Sequence, residues 1–247
     1  MAELDKLKAS SPTQAMGPMP DAKKSPILLL NEIAHQGFLD ALEIIALIEM
    51  MERQNQGRIV GKLSDEGAGI AGIVIRNALI TRITILVARP FAPLRKGDRH
   101  LRRAFDELLK LPAVRRHIER GGTKPDLLEA ERLWTDVQAD PQRTKIEHFR
   151  HKHTAHLGEP KPGVANPEYE HFFSFARKTA RVMEKLAHAV GGTRETLDEH
   201  YDDFIQAVQI FWKPWDMIQA YPSFRDARKA GGPGIHNPGR PNGRAPV

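Results

Sequence analysis

One arginine and four histidines crowd together in "KIEHFRHKHTAHLGEP", residues 145–160: Arg150 with His148, His151, His153 and His156. The chain has eleven histidines in all, so four within nine residues is a concentration that calls for a reason. Imidazole changes charge near neutral pH and can give and take protons there. Guanidinium stays charged and meets phosphate oxygens with a fork of N–H donors. One His and one Arg are a minimal kit for cutting RNA without a metal. The imidazole moves a proton to or from the 2′-hydroxyl or the leaving oxygen, and the guanidinium stabilises the charge gathering on phosphorus. A second reading needs no function: helix C-termini favour His and Lys through the macrodipole, and a solvated basic helix end would look the same. From these residues alone both readings stand. Zinc fits less well. His148 and His151 are spaced i, i+3, as are His153 and His156, but the pairs lie on different faces, and Glu147 and Glu159 complete no ligand set. The expectation is no metal and no cofactor.

The element that must carry these residues is a helix. Asp140-Pro141 is a good N-cap and first-turn pair, and Leu157-Gly158 a good stop. At helical spacing Ile146, Phe149, His153 and Leu157 form an apolar-leaning stripe. Arg150, His153 and His156 then line an arc of about 120°, rising roughly 9 Å along the axis. Arg150 and His156 flank the stripe, at the edge of a packing surface, where a two-fold partner can bring two such sets together.

The rest of the chain predicts helices as well. Ser25-Pro26 opens one that runs to about Asn55, with an apolar stripe of Ile27, Leu30, Phe38, Ala41, Ile45 and Ile48. "NQGRIVGK" interrupts the pattern, and a second helix fits 64–88. A third fits 98–120, kinked or split at Leu111-Pro112, and "RGGTKPD" breaks the chain before a fourth at 125–138. After the histidine-rich helix, a sixth spans 167–190 and stops at Gly191-Gly192. A seventh runs from Thr193 to about Trp212, where Pro214 kinks or ends it. No run alternates with period two and no solenoid repeat is present. The class is all-α, an antiparallel helical bundle. Residues 1–25 read as a disordered N-terminal segment, 26–220 as a single all-α domain, and 221–247 as a flexible basic tail.

Composition narrows the function classes. The 247 residues contain no cysteine, which excludes disulfides, thiolate metal sites and cysteine nucleophiles. The formal charge is +6, but residues 222–247 hold five Lys or Arg against one acid, so much of the excess belongs to the tail. The N-terminal residues lack an apolar core of the kind a signal peptide has. Residues 70–88, "IAGIVIRNALITRITILVA", are long enough to span a membrane. Arg76, Asn77 and Arg82 fall in the middle of that run, where charge is costly in lipid. A buried helix at the centre of the bundle is the expectation, in a cytoplasmic protein with no membrane contact. No P-loop, dinucleotide fingerprint, Gly-x-Ser-x-Gly elbow or His-Glu-x-x-His zinc helix occurs.

The string "FRHKHTAHLG" resembles the signature of HEPN domains, small helical bundles marked by Arg, four to six residues, then His. Arg150 and His156 have five residues between them, and His151 fits the polar residue that often follows the Arg. The form Arg-polar-Lys-x-x-Ala-His, followed by a loop and a long helix, is similar to the AbiU-type branch, named after phage abortive-infection proteins. "YEHFFSFARKTARVMEKLAHAV" has the character of that branch's next helix. The resemblance covers about residues 30–215 and is specific over the ten residues quoted. It implies a HEPN-like fold and a homodimer with two Arg–His pairs facing each other across a cleft. It further implies a metal-independent endoribonuclease acting on RNA, in phage defence or a toxin–antitoxin pair. Arg150 and His156 would be the catalytic pair, with His151 supporting; His153, between them on the arc, is a further supporting candidate that the family motif does not itself mark. An antitoxin or a nucleotidyltransferase would be a further partner. The alternative is a catalytically silent helical module that binds a nucleotide or a protein.

Three other features have a structural and a functional reading. Arg76 and Arg82, in "RNALITR", fit structural salt bridges better than contacts to RNA phosphate. The aromatics of "FWKPWDM", Phe211 to Met217, fit core closure better than base stacking. The basic tail fits a solvated segment better than a nucleic-acid contact.

Overall fold

Ser25 and Pro26 start the first helix as the sequence predicts. The Ser25 hydroxyl accepts the Leu28 N–H at 3.2 Å, and Pro26 occupies the first turn, where its missing N–H costs nothing. The computed structural model describes residues 25–95, 97–151 and 166–216. Among the described residues there are nine α-helices and no strand. They are α1 (Pro26–Gln54), α2 (Gly57–Asp65), α3 (Gly69–Ala88), α4 (Leu101–Asp106), α5 (Pro112–Arg120), α6 (Lys124–Ala139), α7 (Gln142–Phe149), α8 (Tyr169–Ala189) and α9 (Tyr201–Asp216). The N-terminal segment and basic tail that the sequence marks as flexible lie outside the described residues.

α1 and α8 form the centre, and α1 also touches α2, α3, α4, α5 and α9. α3 runs antiparallel to α1, since Arg89 pairs with Asp40, Arg82 with Glu43, and Gln54 with the Gly72 carbonyl. α6 and α8 are likewise antiparallel: Lys178 meets Asp140 at 2.8 Å at one end, and Thr123 donates to the Ala189 carbonyl at 2.5 Å at the other. The α1 residues Leu30, Phe38, Ala41, Ile45 and Ile48 are buried, as their spacing requires, and Ile27 packs against them. Phe91 and Phe105 both stack parallel to Trp134, with ring centroids 5.3 and 4.9 Å away. This aromatic layer closes the core on the α4–α6 side.

Tertiary contacts move several boundaries. "NQGRIVGK" does not break the chain into a loop; most of it is the start of α2. Gly61, inside the helix, disfavours it by about 1 kcal/mol. Burial of Ile59 and Leu63 against Val208 and Trp212 of α9 offsets the cost. The run 98–120 is not one helix but α4, a short turn at Leu108–Lys110, and α5. Leu111 is extended, as a residue before proline prefers. α8 ends as expected, with Gly191 left-handed at φ 69°. The last helix starts at Tyr201 rather than Thr193. Residues 193–200 form turns tied back to α8, because the buried Glu184 carboxylate accepts the Leu197 N–H at 2.8 Å while Arg181 neutralises it. Pro214 does not end α9. The helix continues to Asp216, whose carboxylate receives Arg53 and Arg58. Trp212 is buried, as a core-closing aromatic should be, while Phe211 is exposed.

The expectation of a wholly buried α3 also needs correction. Its C-terminal half is in the core through Ile83, Leu86, Val87 and Ala88. Its N-terminal half shows Ile70 at 79% and Val74 at 61% exposure. Gly69–Phe91 is long and apolar enough to cross a membrane by length and composition, with 28% of its most apolar window buried. That is weak ground for a span, since the core half is packed against α1 and Arg82 is neutralised by a surface carboxylate.

Candidate functional site

α7 carries the arginine, and its start is well anchored. The Asp140 carboxylate accepts the Gln142 N–H at 3.0 Å, so Asp140 caps the helix while Pro141 leads into it. The same carboxylate accepts Lys178 of α8. Burial pushes the Asp140 carboxyl up, but the Lys178 ammonium, the Gln142 N–H and the nearby His171 outweigh it, leaving the group below its ordinary range. Arg143 and Glu147 approach to 3.7 Å along the exposed side.

α7 packs against α3, α6 and α8. Ile146 is buried and Phe149 half-buried, as the stripe predicts. His148 is buried as well, at 8% exposure. The sequence assigns it no role, because it lies about 200° around the helix from Ile146. A short helix wedged among three others has two buried faces, and a single-stripe analysis finds one.

The regular helix ends at Phe149. Arg150 and His151 follow in a wider, π-type turn, a feature that recurs at functional sites. Arg150 is half-buried and His151 exposed. The arginine thus stands on the edge of a packed element, held by a buried face below it and reaching the surface beside it. His153 and His156 lie outside the described residues, as does the rest of the histidine-rich segment to residue 165. Among the described residues no group of three His, Asp or Glu side chains is placed to hold a metal ion.

The two arginines of α3 have separate fates. Arg82 makes a two-pronged contact with Glu43, Nε to Oε1 at 2.6 Å and NH2 to Oε2 at 2.7 Å. It is the structural salt bridge that its position in an apolar helix calls for. Arg76 has no such carboxylate among the described residues and lines a cavity instead.

No curated protein and no solved structure matches the chain. A family model described as AbiU2, of the HEPN group, matches residues 27–211, from the first turn of α1 into α9. That match reaches every described helix and contains the Arg150–His156 string, well over half of the sequence; the chain belongs to the HEPN AbiU2 family.

Proposed function

We propose that this chain is a metal-independent endoribonuclease of the HEPN kind, cytoplasmic and working as a homodimer in phage defence or as the toxin of a toxin–antitoxin pair. The observation that carries the reading is the position of Arg150. It lies in a π-type turn at the end of a three-sided packed helix, with five residues between it and His156, in a chain whose family match runs from α1 into α9. Arg150 would meet the scissile phosphate with its N–H fork and stabilise the charge that builds there. The His156 imidazole would move the proton of the 2′-hydroxyl or of the leaving oxygen. His151 and His153 would support the pair, and two chains would supply two pairs to one cleft.

RNA cleavage by the purified protein in EDTA tests this, wild type beside Arg150→Ala and His156→Ala. The expected outcome is cleavage by wild type that survives EDTA and falls by 100-fold or more in each variant, the loss a general acid–base group supports. Circular dichroism and melting of the variants should stay at wild-type values, because Arg150 is not a core residue. Cleavage at wild-type rates in both variants would place the site elsewhere. Absence of cleavage in all three would favour a silent binding module. Sedimentation of the wild type should give twice the chain mass of 27.8 kDa.

A further inference from the structure

A cavity of about 230 Å³ opens where the end of α1, α2 and the first half of α3 meet. It is separate from the Arg150 turn and mixes two chemistries. Its apolar lining is Val60, Leu63 and Ile73, and its polar lining is Gln54, Asn55, Ser64 and Arg76. Among the described residues no carboxylate lines it.

Two of these polar groups have bonding capacity that the described residues do not use. Arg76 is half-buried and makes no hydrogen bond or ion pair with any described residue. Arg82, six residues on, is fully engaged by Glu43, so the contrast is not a property of the helix. Gln54 is 4% exposed. Its amide nitrogen donates to the Gly72 carbonyl at 2.5 Å, while its Oε1 is buried and has no donor among the described residues. A buried acceptor without a donor is costly, and native structures leave few of them. The backbone is shaped to this arrangement. A Cβ on Gly72 would lie 3.1 Å from the Leu63 side chain and 3.6 Å from the Gln54 amide nitrogen. Glycine there lets α3 come close enough for Gln54 to reach its carbonyl.

We propose that this cavity is a binding site for a phosphate monoester on a small hydroxyl-bearing carbon frame, such as a pentose phosphate. The phosphate takes the Arg76 fork, with the Asn55 carboxamide as a second donor. The absence of a carboxylate in the lining leaves a dianion unopposed, and it leaves an ammonium group with no partner, which disfavours amino acids. A ligand hydroxyl donates to the Ser64 hydroxyl oxygen, which lines the cavity and spends its own proton on the Val60 carbonyl at 3.0 Å, while the buried Gln54 carboxamide forms the polar floor. The carbon frame rests on Val60, Leu63 and Ile73. The volume lies under the roughly 300–1,000 Å³ of sites for drug-sized ligands, which suits a five-carbon sugar phosphate. The same chemical group is found on a free metabolite and at the phosphorylated end of an RNA strand.

Isothermal titration of the full chain separates these sources. The probes are ribose 5-phosphate, ribose, inorganic phosphate, and a 2′-O-methyl oligoribonucleotide, which cannot be cut, with and without a 5′-phosphate. The expected result is saturable binding of ribose 5-phosphate, one per chain, with no heat from ribose. Arg76→Gln should weaken binding at least tenfold while melting as wild type does, and Gly72→Ala should weaken it by crowding Leu63 and Gln54. Tighter binding of the 5′-phosphorylated oligonucleotide than of ribose 5-phosphate, lost in Arg76→Gln, assigns the site to RNA ends; the reverse order assigns it to a metabolite. Three results overturn the proposal: no saturable heat from any phosphate-bearing probe, undiminished binding in Arg76→Gln, or inorganic phosphate binding as tightly as ribose 5-phosphate. The titration reads binding alone, so it stands or falls independently of the ribonuclease reading.

Discussion

His100 shows what burial does to a single titratable residue. It is 8% exposed, just ahead of α4. Burial holds its imidazole below the ordinary range; Asp98, 3.5 Å away, pulls it up, while Arg89 and Arg102 push it further down. The folded chain therefore binds this proton more weakly than the unfolded chain. The stability that follows is present above the ordinary imidazole value of about 6.5 and drains away as the pH falls toward the folded value. Urea unfolding should show wild type losing up to about 1.4 kcal/mol per pH unit through this group below pH 6.5. His100→Phe should flatten that acid limb relative to wild type. Equal pH slopes in the two proteins would mean that His100 takes no part. Arg150 poses the opposite case at this scale: if its worth lies in the proposed chemistry, its truncation abolishes cleavage while the melting temperature moves little, since it is half-buried at the end of α7 and outside the core.

At the scale of elements, short helices here depend on one or two contacts each. Asp140 both caps α7 and bridges to α8, so Asp140→Ala should destabilise the protein by about 1–2 kcal/mol, read by chemical denaturation at pH 7. Because the Asp140 carboxyl is held below its ordinary range, that contribution is complete above the ordinary Asp value of about 3.9. It is lost as the pH falls through the lower folded value. The difference between Asp140→Ala and wild type should therefore shrink in strong acid. α2 offers the converse test. Gly61 lies inside the helix, and a Cβ there would meet nothing within 4 Å. Gly61→Ala should stabilise the protein by about 0.4–1 kcal/mol, since it lowers the entropy of the unfolded chain without crowding the folded one.

At the scale of the molecule, the buried apolar residues among those described divide into two clusters of unequal size. The large one joins α1, α3, α4, α5, α6, α7 and α8, while the small one holds α2 to α9 through Ile59, Leu63, Val208 and Trp212. A unit with so few buried contacts opens more readily than the core beside it. Amide hydrogen exchange should be faster in α2 and α9 than in α1 and α8. Trp212→Ala should accelerate exchange in α2 and α9 and cost about 3–5 kcal/mol if their opening is coupled to global unfolding. Uniform acceleration across α1 and α8 would show that the two clusters unfold as one.

The all-α class, the start of α1, the split at Pro112, the cap at Asp140 and the stop at Gly191 were all legible in the sequence. Serine and aspartate caps, proline and left-handed glycine act on their own stretch of backbone, so their effect does not wait for the fold. The family was legible for a similar reason: a ten-residue string around Arg150 carries its spacing with it. Other features were decided by what distant segments supply. α2 is helical because α9 covers Ile59 and Leu63. α3 is half-buried because the core covers only its C-terminal turns. His148 is buried because three helices enclose α7. Arg82 and Arg76 share a helix and a residue type, yet one is closed by Glu43 and the other faces a cavity. The sequence by itself determined the turns that carry their own caps, prolines or left-handed glycines and the family string around Arg150; tertiary structure alone decided the remaining helix boundaries and which side chains have partners, because burial and pairing depend on residues far away along the chain.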